Sequence, residues 1–309
     1  MFEKSRLLFL YAVSPVHMGA GQAIGVIDNP IQRERHTDHP MMAGSGLKGA
    51  FRHHLEKKWD KDSVLRLFGP ESNASDYAGC VSFGDAQLVA FPVRSLRRAF
   101  VYAVSPVTLA RLKRLAALAG LETGWNAPEV AAEQALACDE GVLGGNNRLV
   151  LEAFDFGADI SDQLQAIAQW LTDNAFPAGE AHQHFREKIK KDLVLLPDDA
   201  YSHFVRNATV VEAHVRINDT TGTADEGGLF YTENLPPESV LVSPVLASVE
   251  RTSKKGRSGE PMKAEDVMRT LVGGNGKPGL DGAFVQVGGD ATTGRGQIVL
   301  RFAPERKEG

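Results

Sequence analysis

The order of short apolar segments constrains the fold of this chain more than any other feature of its sequence. An apolar run at 6–13 precedes a helical pattern at 47–59, in which apolar residues recur at every fourth position. Strand-like runs at 81–91 and 99–104 follow, and then a second amphipathic helix at 109–118. Strand, helix, strand, strand, helix is the beginning of a ferredoxin-like βαββαβ unit, so we expect an α+β fold with an RRM-like core.

The middle of the chain is expected to be an insertion into this core. Polar helical stretches lie at 161–172 and 180–191, and apolar and polar residues then alternate up to a turn at 219–222. This pattern predicts a projecting β-hairpin, and strand and helix patterns return after 240. We therefore predict one domain over 1–309, with its core at about 1–119 and 240–309 and an inserted helical region at about 120–239 that includes a hairpin at about 206–232.

One hexamer occurs twice. Tyr-Ala-Val-Ser-Pro-Val stands at Tyr11–Val16 and again at Tyr102–Val107. Each copy is an apolar strand that ends at a proline, which cannot donate to a sheet. An old duplication and a chance similarity of strand ends both explain the repeat.

Composition excludes several classes of protein. The chain has 309 residues, of which 43% are hydrophobic and 24% charged, and its net charge is −5, which argues against a uniformly basic surface. No apolar run approaches the roughly 18 residues that span a bilayer. The two cysteines, Cys80 and Cys138, lack the spacing of a zinc site or a disulfide framework, so a reduced, cytoplasmic location is expected.

A glycine-rich turn opens the first helix. Ser45 is a plausible N-cap, and Gly46 leaves the backbone N–H groups accessible at the positive end of the helix dipole. Lys48 and Arg52 are four residues apart and share one helical face. This arrangement predicts a phosphate-binding site, although a capped surface helix with solvated cations would have the same pattern.

A second glycine-rich segment, at 287–297, lies between two strand-like runs. Glycine lets a backbone approach a ligand closely, and one arginine adds positive charge. A long hairpin turn without a ligand is the alternative. The segment contributes Gly288, Gly289, Gly294, Arg295 and Gly296 as candidate binding residues.

Acidic residues occur at two turns. Asp28 precedes Asn29-Pro30, where a lone aspartate most often accepts a hydrogen bond within the turn. Glu226 and Tyr231 precede a strand and are either catalytic partners or part of a turn with packed aromatic residues. No cluster with zinc spacing and no Gly-x-Ser-x-Gly nucleophile motif occurs in the sequence.

Three of these segments, at 27–34, 40–52 and 287–297, together resemble the RAMP superfamily of CRISPR proteins. The stretches at 81–96 and 228–236 are similar to the backbone subunit of type III-B (Cmr) effector complexes. The resemblance covers nearly the whole chain, and the combined order of the segments is more specific than any one of them.

The resemblance implies an RRM-like palm with a hairpin thumb. Copies would stack in a helical filament along one guide CRISPR RNA, together with other Cmr subunits, and cut paired single-stranded target RNA at regular intervals. No membrane partner is implied. Asp28 matches the essential acid, and His17, Glu226 and Tyr231 lie in segments that supply supporting groups. The implied RNA-binding residues are Ser45, Gly46, Lys48, Arg52, Gly288, Gly289, Gly294, Arg295 and Gly296.

Such cleavage has a simple chemical basis, because RNA carries its own nucleophile in the 2′-hydroxyl. Asp28 either binds a divalent cation, Mg or Mn, or acts as a base. Two other functions remain open at this point: a structural guide-RNA-binding subunit without catalysis, and an endoribonuclease that processes precursor guide RNA through His17.

Overall fold

A computed structural model describes residues 2–21, 25–71, 77–252 and 260–305, which form a large, mainly β core with helices on both faces. The first part of the chain supplies five strands and three helices. They are β1 (Lys4–Ala12), β2 (Met41–Met42), α1 (Gly44–Glu56), α2 (Lys61–Phe68), β3 (Val81–Phe83), β4 (Ala86–Arg94), β5 (Phe100–Val104) and α3 (Pro106–Leu118).

The middle and last parts complete the set of elements. The middle supplies β6 (Gln134–Ala137), β7 (Arg148–Leu151), β8 (Phe154–Ile160), α4 (Asp162–Asn174), α5 (Gln183–Asp192), β9 (Leu193–Leu195), α6 (Asp198–Asn207), β10 (Val210–Ile217) and β11 (Ala224–Asn234). The last part supplies β12 (Val240–Ala247), α7 (Ala264–Val272), β13 (Phe284–Gln286) and β14 (Gln297–Phe302). Among these described elements, no helix is long and apolar enough to cross a membrane.

The strands form one large sheet and one separate hairpin. The order in the sheet is β13-β14-β1-β12-β4-β5-β9-β6-β8-β7, with β2 added to β4 and β3 added to β12. Strands β10 and β11 pair only with each other, in an antiparallel ladder. The alternation of residues around 209–217 therefore correctly predicted a hairpin.

Strand β1 lies in the middle of the core and is buried on both faces. Leu8 and Leu10 contribute to one apolar cluster, together with side chains of α1, α2, α6 and α7. Leu7 and Phe9 contribute to a second cluster, with side chains of α3, α4 and α5. The continuous apolar sequence of β1 follows from this position, because successive side chains point to opposite faces of a strand.

The structure corrects the predicted start of the first helix. Ser45 is not the N-cap: the cap position is Ala43, whose side chain makes no capping bond. Asp85 accepts a hydrogen bond from the Gly44 N–H instead, at 2.8 Å. A Cβ on Gly44 would lie 2.2 Å from the carbonyl oxygen of Phe83, so glycine is needed for this close approach.

The sheet order also differs from the one that the sequence suggested. Strand β5 and helix α3 do not complete the unit begun by β1 and α1, because β5 pairs on the far side of β4 with β9. The strand that lies between β1 and β4 is β12. The sequence also did not predict the short strands β6 to β9 or helix α6.

Candidate functional site

The loop that carries Asp28 lies along the edge of β11. Asp28 Oδ2 accepts a hydrogen bond from the Tyr231 N–H at 2.7 Å. The Asn29 N–H donates to the Tyr231 carbonyl oxygen at 3.0 Å, and the Asn29 carbonyl oxygen accepts from the Glu233 N–H at 2.9 Å. Asp28 is exposed, and its Oδ1 has no hydrogen-bond partner among the described residues. The carboxylate is thus held in place with one oxygen available.

His17 is attached to the same strand. Its ring Nδ1 lies 2.7 Å from the Glu233 carbonyl oxygen, which can only accept, so Nδ1 donates. The neutral ring therefore leaves Nε2 without a proton, as an acceptor. A Cβ on Gly19 would lie 3.0 Å from this Nε2, and glycine at position 19 keeps the nitrogen accessible.

The carboxylate of Glu233 was not singled out by the sequence analysis. It is 2% exposed and accepts hydrogen bonds from the Ile31 N–H, the Arg33 guanidinium and the Thr209 hydroxyl. These partners come from distant parts of the chain, so no local motif marks the residue.

The glycine-rich loop packs against the backbone that leads out of β1. Gly289 donates to the His17 carbonyl oxygen at 2.9 Å, and Gly296 donates to that of Pro15 at 2.8 Å. Gly288 has φ +72°, and a Cβ on it would lie 2.2 Å from the His17 carbonyl oxygen. Close approach of the loop to the protein's own backbone explains Gly288 and Gly296, and contact of the loop with RNA stays a prediction. Gly294 has φ +82° and faces open space.

Arg295 joins this loop to the hairpin. One of its terminal nitrogens lies 2.6 Å from each carboxylate oxygen of Glu212 in β10. Within the described part of the chain, its other guanidinium nitrogens have no side-chain hydrogen-bond acceptor. Arg295 therefore retains donors for a phosphate while it anchors the hairpin.

The start of α1 is adjacent to the loop through Met18. A Cβ on Gly46 would lie 2.9 Å from the Met18 methyl group, and one on Gly288 would lie 3.2 Å from its sulfur. Ser45 and Gly46 are exposed, and their N–H groups have no acceptor within the described ranges. The structure therefore places the two predicted phosphate-binding segments side by side.

The two cations of α1 differ in their surroundings. Lys48 is half-buried and makes no hydrogen bond or ion pair with the described residues, and burial, followed by the nearby Arg52 charge, lowers its pKa. Arg52 donates to Glu56 at 2.9 Å, to the Gly69 carbonyl oxygen at 2.9 Å and to Glu71 at 3.1 Å. The amine of Lys48 is available to a ligand, whereas RNA would have to compete for the guanidinium of Arg52.

Glu226 and Tyr231 lie at different heights on the hairpin. The five-residue separation along β11 corresponds to roughly 16 Å. The Tyr231 side chain is 39% exposed and lies opposite Ala213 in the ladder. Glu226 is exposed near the hairpin turn, so the structure brings Tyr231 to Asp28 but leaves Glu226 apart.

The described residues contain no group of three histidine, cysteine, aspartate or glutamate side chains that could hold a metal ion. Asp28 would supply one ligand, and phosphate oxygens and water would have to supply the others. A metal role for Asp28 therefore stays a prediction. Cys80 and Cys138 are free and buried, and burial raises the pKa of each thiol to about 12.

Known proteins resemble this chain over nearly its whole length. The sequence pattern of the RAMP superfamily matches residues 9–299. The "CRISPR system Cmr endoribonuclease Cmr4" of Pyrococcus furiosus is 34% identical over 96% of this chain and 94% of its own length. The "CRISPR system CMR subunit Cmr4" of Saccharolobus solfataricus is 24% identical over 95% of each chain.

Solved structures share the fold. A crystal structure of oligomeric Cmr4 from Pyrococcus furiosus superposes with a TM-score of 0.73 at 27% identity and covers 98% of this chain and 99% of its own. A chain in a cryo-EM structure of a type III-B Cmr-beta complex bound to cognate target RNA gives a TM-score of 0.71 at 19% identity, with coverage of 97% and 98%.

Proposed function

The chain belongs to the RAMP superfamily, and we propose that it is a guide-RNA-binding backbone subunit of a type III-B (Cmr) complex that cleaves the paired target RNA. Its partners would be guide CRISPR RNA, target RNA, further copies of itself and other Cmr subunits. A full-length relative named as an endoribonuclease supports the activity. The cytoplasm is the proposed location.

The phosphate backbone of the guide would bind at the start of α1. Two exposed N–H groups, of Ser45 and Gly46, lie at the positive end of the helix dipole. Lys48 adds a half-buried amine that a phosphate would compensate. The glycine-rich loop with Arg295 extends this phosphate-binding surface, because Met18 lies next to both Gly46 and Gly288. Such contacts follow the shape and charge of the strand, whereas base pairing selects the target.

Cleavage would use the 2′-hydroxyl of the target. Its oxygen attacks the adjacent phosphorus, the bond from phosphorus to the next 5′-oxygen breaks, and the products are a cyclic 2′,3′-phosphate and a 5′-hydroxyl. The 2′-hydroxyl proton passes to a protein acceptor, and the leaving 5′-oxygen takes a proton from water. Two accessible acceptors are available, Asp28 Oδ1 and His17 Nε2. Asp28 is hydrogen-bonded to Tyr231 and His17 to Glu233, and these two residues of β11 are about 7 Å apart along the strand. This pair of acceptors on one rigid strand carries the proposal. A divalent cation at Asp28 remains an alternative role for that carboxylate.

We also propose a ferredoxin-like core, in a different arrangement from the one expected from the sequence. Its elements would be β1, α1, β4, β12, α7 and β14, and the sheet order β14-β1-β12-β4 is the 4-1-3-2 order of that fold. The insertion would then begin after β4, near residue 95, rather than near 120. The separate pair β10-β11 would be the thumb.

Each of two alternative functions is supported by one observed contact. A structural subunit without catalysis is favoured by the hydrogen bond from the Tyr231 N–H to Asp28, which gives the carboxylate a structural role. A precursor-processing endoribonuclease is favoured by the accessible nitrogen of His17. Incubation of the purified chain alone with precursor guide RNA tests the latter, since specific cutting there would support it.

Asp28→Asn in an assembled complex tests the proposed function. Asparagine keeps an oxygen that can accept the Tyr231 N–H, so the loop stays in place while the negative charge is lost. We expect target cleavage to fall at least about 100-fold with normal assembly and guide content. A wild-type cleavage rate with normal assembly would show that the catalytic assignment of Asp28 is wrong. Chelation of divalent cations in the wild-type complex, followed by addition of Mg or Mn, tests the metal role separately.

A further inference from the structure

We propose that Glu233 is a positioning residue for cleavage, which sets the distance between His17 and the Asp28 loop through both its side chain and its backbone. This inference rests on the proposed function of those two residues. Glu233 lies in the 228–236 stretch that carries part of the family resemblance, but the sequence assigned no role to it.

The side chain of Glu233 holds the segment that follows Asp28. One carboxylate oxygen accepts the Ile31 N–H at 3.1 Å. The other lies 2.5 Å from the Arg33 guanidinium and 2.7 Å from the Thr209 hydroxyl at the base of the hairpin. A single carboxylate in β11 therefore joins the Asp28 loop to Thr209, the residue that precedes β10.

The backbone of Glu233 completes the arrangement. Its N–H donates to the Asn29 carbonyl oxygen at 2.9 Å, directly after Asp28 in the sequence. Its carbonyl oxygen accepts from Nδ1 of His17 at 2.7 Å, which fixes the orientation of the ring and the tautomer of its neutral form. A shift of this one residue would move both candidate proton acceptors relative to each other.

The ion pair between Glu233 and Arg33 explains why the negative charge of Glu233 matters. A carboxylate that is 2% exposed is costly to bury unless it is paired, and Arg33 supplies the partner. Arg33 also donates to the carbonyl oxygens of Asp38 at 2.7 Å and Val205 at 3.1 Å, the latter in the last turn of α6. Loss of the Glu233 charge would leave the guanidinium half-buried without its counter-ion, and the loop would move to hydrate it.

Glu233→Gln in the assembled complex is the main test. A positional error of about 1 Å can cost up to about 100-fold in rate, so we expect the single-turnover cleavage rate at saturating target to fall about 10- to 100-fold. Target affinity and guide content should stay within about 2-fold, because base pairing and the α1 surface are unchanged. The pH dependence of the remaining rate should also change, since the position of His17 changes.

Glu250→Gln is a matched control. Glu250 is also a buried glutamate, paired with Arg66 at 2.7 and 2.9 Å and bonded to a backbone N–H, that of Met262 at 3.0 Å. Among the described residues, Glu250 contacts neither the Asp28 loop nor His17. Its substitution should lower thermal stability while the cleavage rate at saturating target stays within about 2-fold of wild type. A general loss of stability would reduce cleavage equally in both variants, and that result would overturn the inference.

Two further variants keep the test decisive. Glu233→Asp retains the charge in a shorter side chain and serves as the test if complexes of Glu233→Gln fail to assemble. We expect its cleavage rate to be about 3- to 10-fold below that of wild type. Glu233→Gln combined with Arg33→Gln removes both charges, and its loss should be smaller than the product of the two single losses. Wild-type cleavage by Glu233→Gln or Glu233→Asp would overturn the inference.

Asp28→Asn in the same series separates the two proposals. If Asp28→Asn abolishes cleavage while Glu233→Gln cleaves normally, only the positioning role fails. If Asp28→Asn itself cleaves at the wild-type rate, the proposed catalytic function fails.

Discussion

Tyr11 and Tyr102, the first residues of the two hexamers, donate hydrogen bonds to the same carboxylate oxygen of Glu238. The Tyr102 hydroxyl lies 3.3 Å from this oxygen. Their strands, β1 and β5, are not neighbours in the sheet, because β12 and β4 lie between them. The repeated sequence therefore places two tyrosines around one acid at the start of β12, and its origin by duplication or by chance stays open.

Glu238→Gln should change how stability depends on pH. Burial raises the pKa of Glu238 from 4.5 to about 7, so the folded state binds this proton more tightly than the unfolded state. Its contribution to stability is fully present below about pH 4.5 and is lost as the pH rises through about 7. Glutamine removes this dependence, and because Glu238 is only partly buried we expect the Tm at pH 8 to rise by roughly 2–4 °C.

Thermal unfolding of the purified chain at pH 5 and pH 8 measures this effect. The variant and the wild type should differ less at pH 5 than at pH 8. Glu140→Gln, at an exposed position, is the control and should change the Tm little at either pH. An equal change in Tm at both pH values for Glu238→Gln would contradict the assigned ionisation.

Lys48→Ala should weaken guide binding for every guide sequence. Each phosphate contact by a cation contributes about 0.7 to the slope of log affinity against log salt for a single strand, so the slope should fall by roughly that amount. Filter binding at several salt concentrations measures it. Arg52→Ala is the comparison, because Glu56 and Glu71 already neutralise that guanidinium and its loss should leave the slope nearly unchanged. An effect restricted to one guide sequence would exclude a phosphate contact by Lys48.

Glu212→Gln should strengthen RNA binding. The ion pair with Arg295 is partly exposed, so its loss costs at most about 1 kcal/mol of stability. Without the carboxylate, the guanidinium becomes fully available to phosphate, and we expect affinity for guide RNA at low salt to rise about 2- to 5-fold. Unchanged affinity, measured by the same salt titration, would show that Arg295 only anchors the hairpin.

Local patterns in the sequence predicted local structure well. The four-residue spacing of Leu47, Phe51 and Leu55 predicted a helix that the structure contains as α1, with all three side chains buried. The cap was wrong because a side chain from another segment, Asp85, satisfies the first N–H group. The acceptor for the first N–H groups of a helix can come from the same segment or from a distant one. Tertiary packing decides between them, and the periodicity of the sequence does not reveal that packing.

The candidate site depends even more on distant contacts. Asp28 was identified by its resemblance to a family, but its hydrogen bond to the backbone of Tyr231 spans most of the chain. Glu233 has partners at positions 17, 29, 31, 33 and 209, and no single segment shows that they meet. Strands β6, β7 and β9 escaped prediction because each has only three or four residues, and β9 directly follows a helix.

Gly288→Ala should destabilise the glycine-rich loop much more than Gly294→Ala. Both residues have positive φ, at +72° and +82°, where an L-residue costs about 1–2 kcal/mol. At Gly288 the added Cβ would also lie 2.2 Å from the His17 carbonyl oxygen, whereas at Gly294 it meets open space. We therefore expect losses in the free energy of unfolding of roughly 3–5 kcal/mol and 1–2 kcal/mol, respectively, measured by urea denaturation. Because the Gly288 contact is with His17, cleavage should fall in Gly288→Ala but persist in Gly294→Ala. Equal losses of stability would show that the backbone conformation alone, and not the contact with His17, requires glycine at position 288.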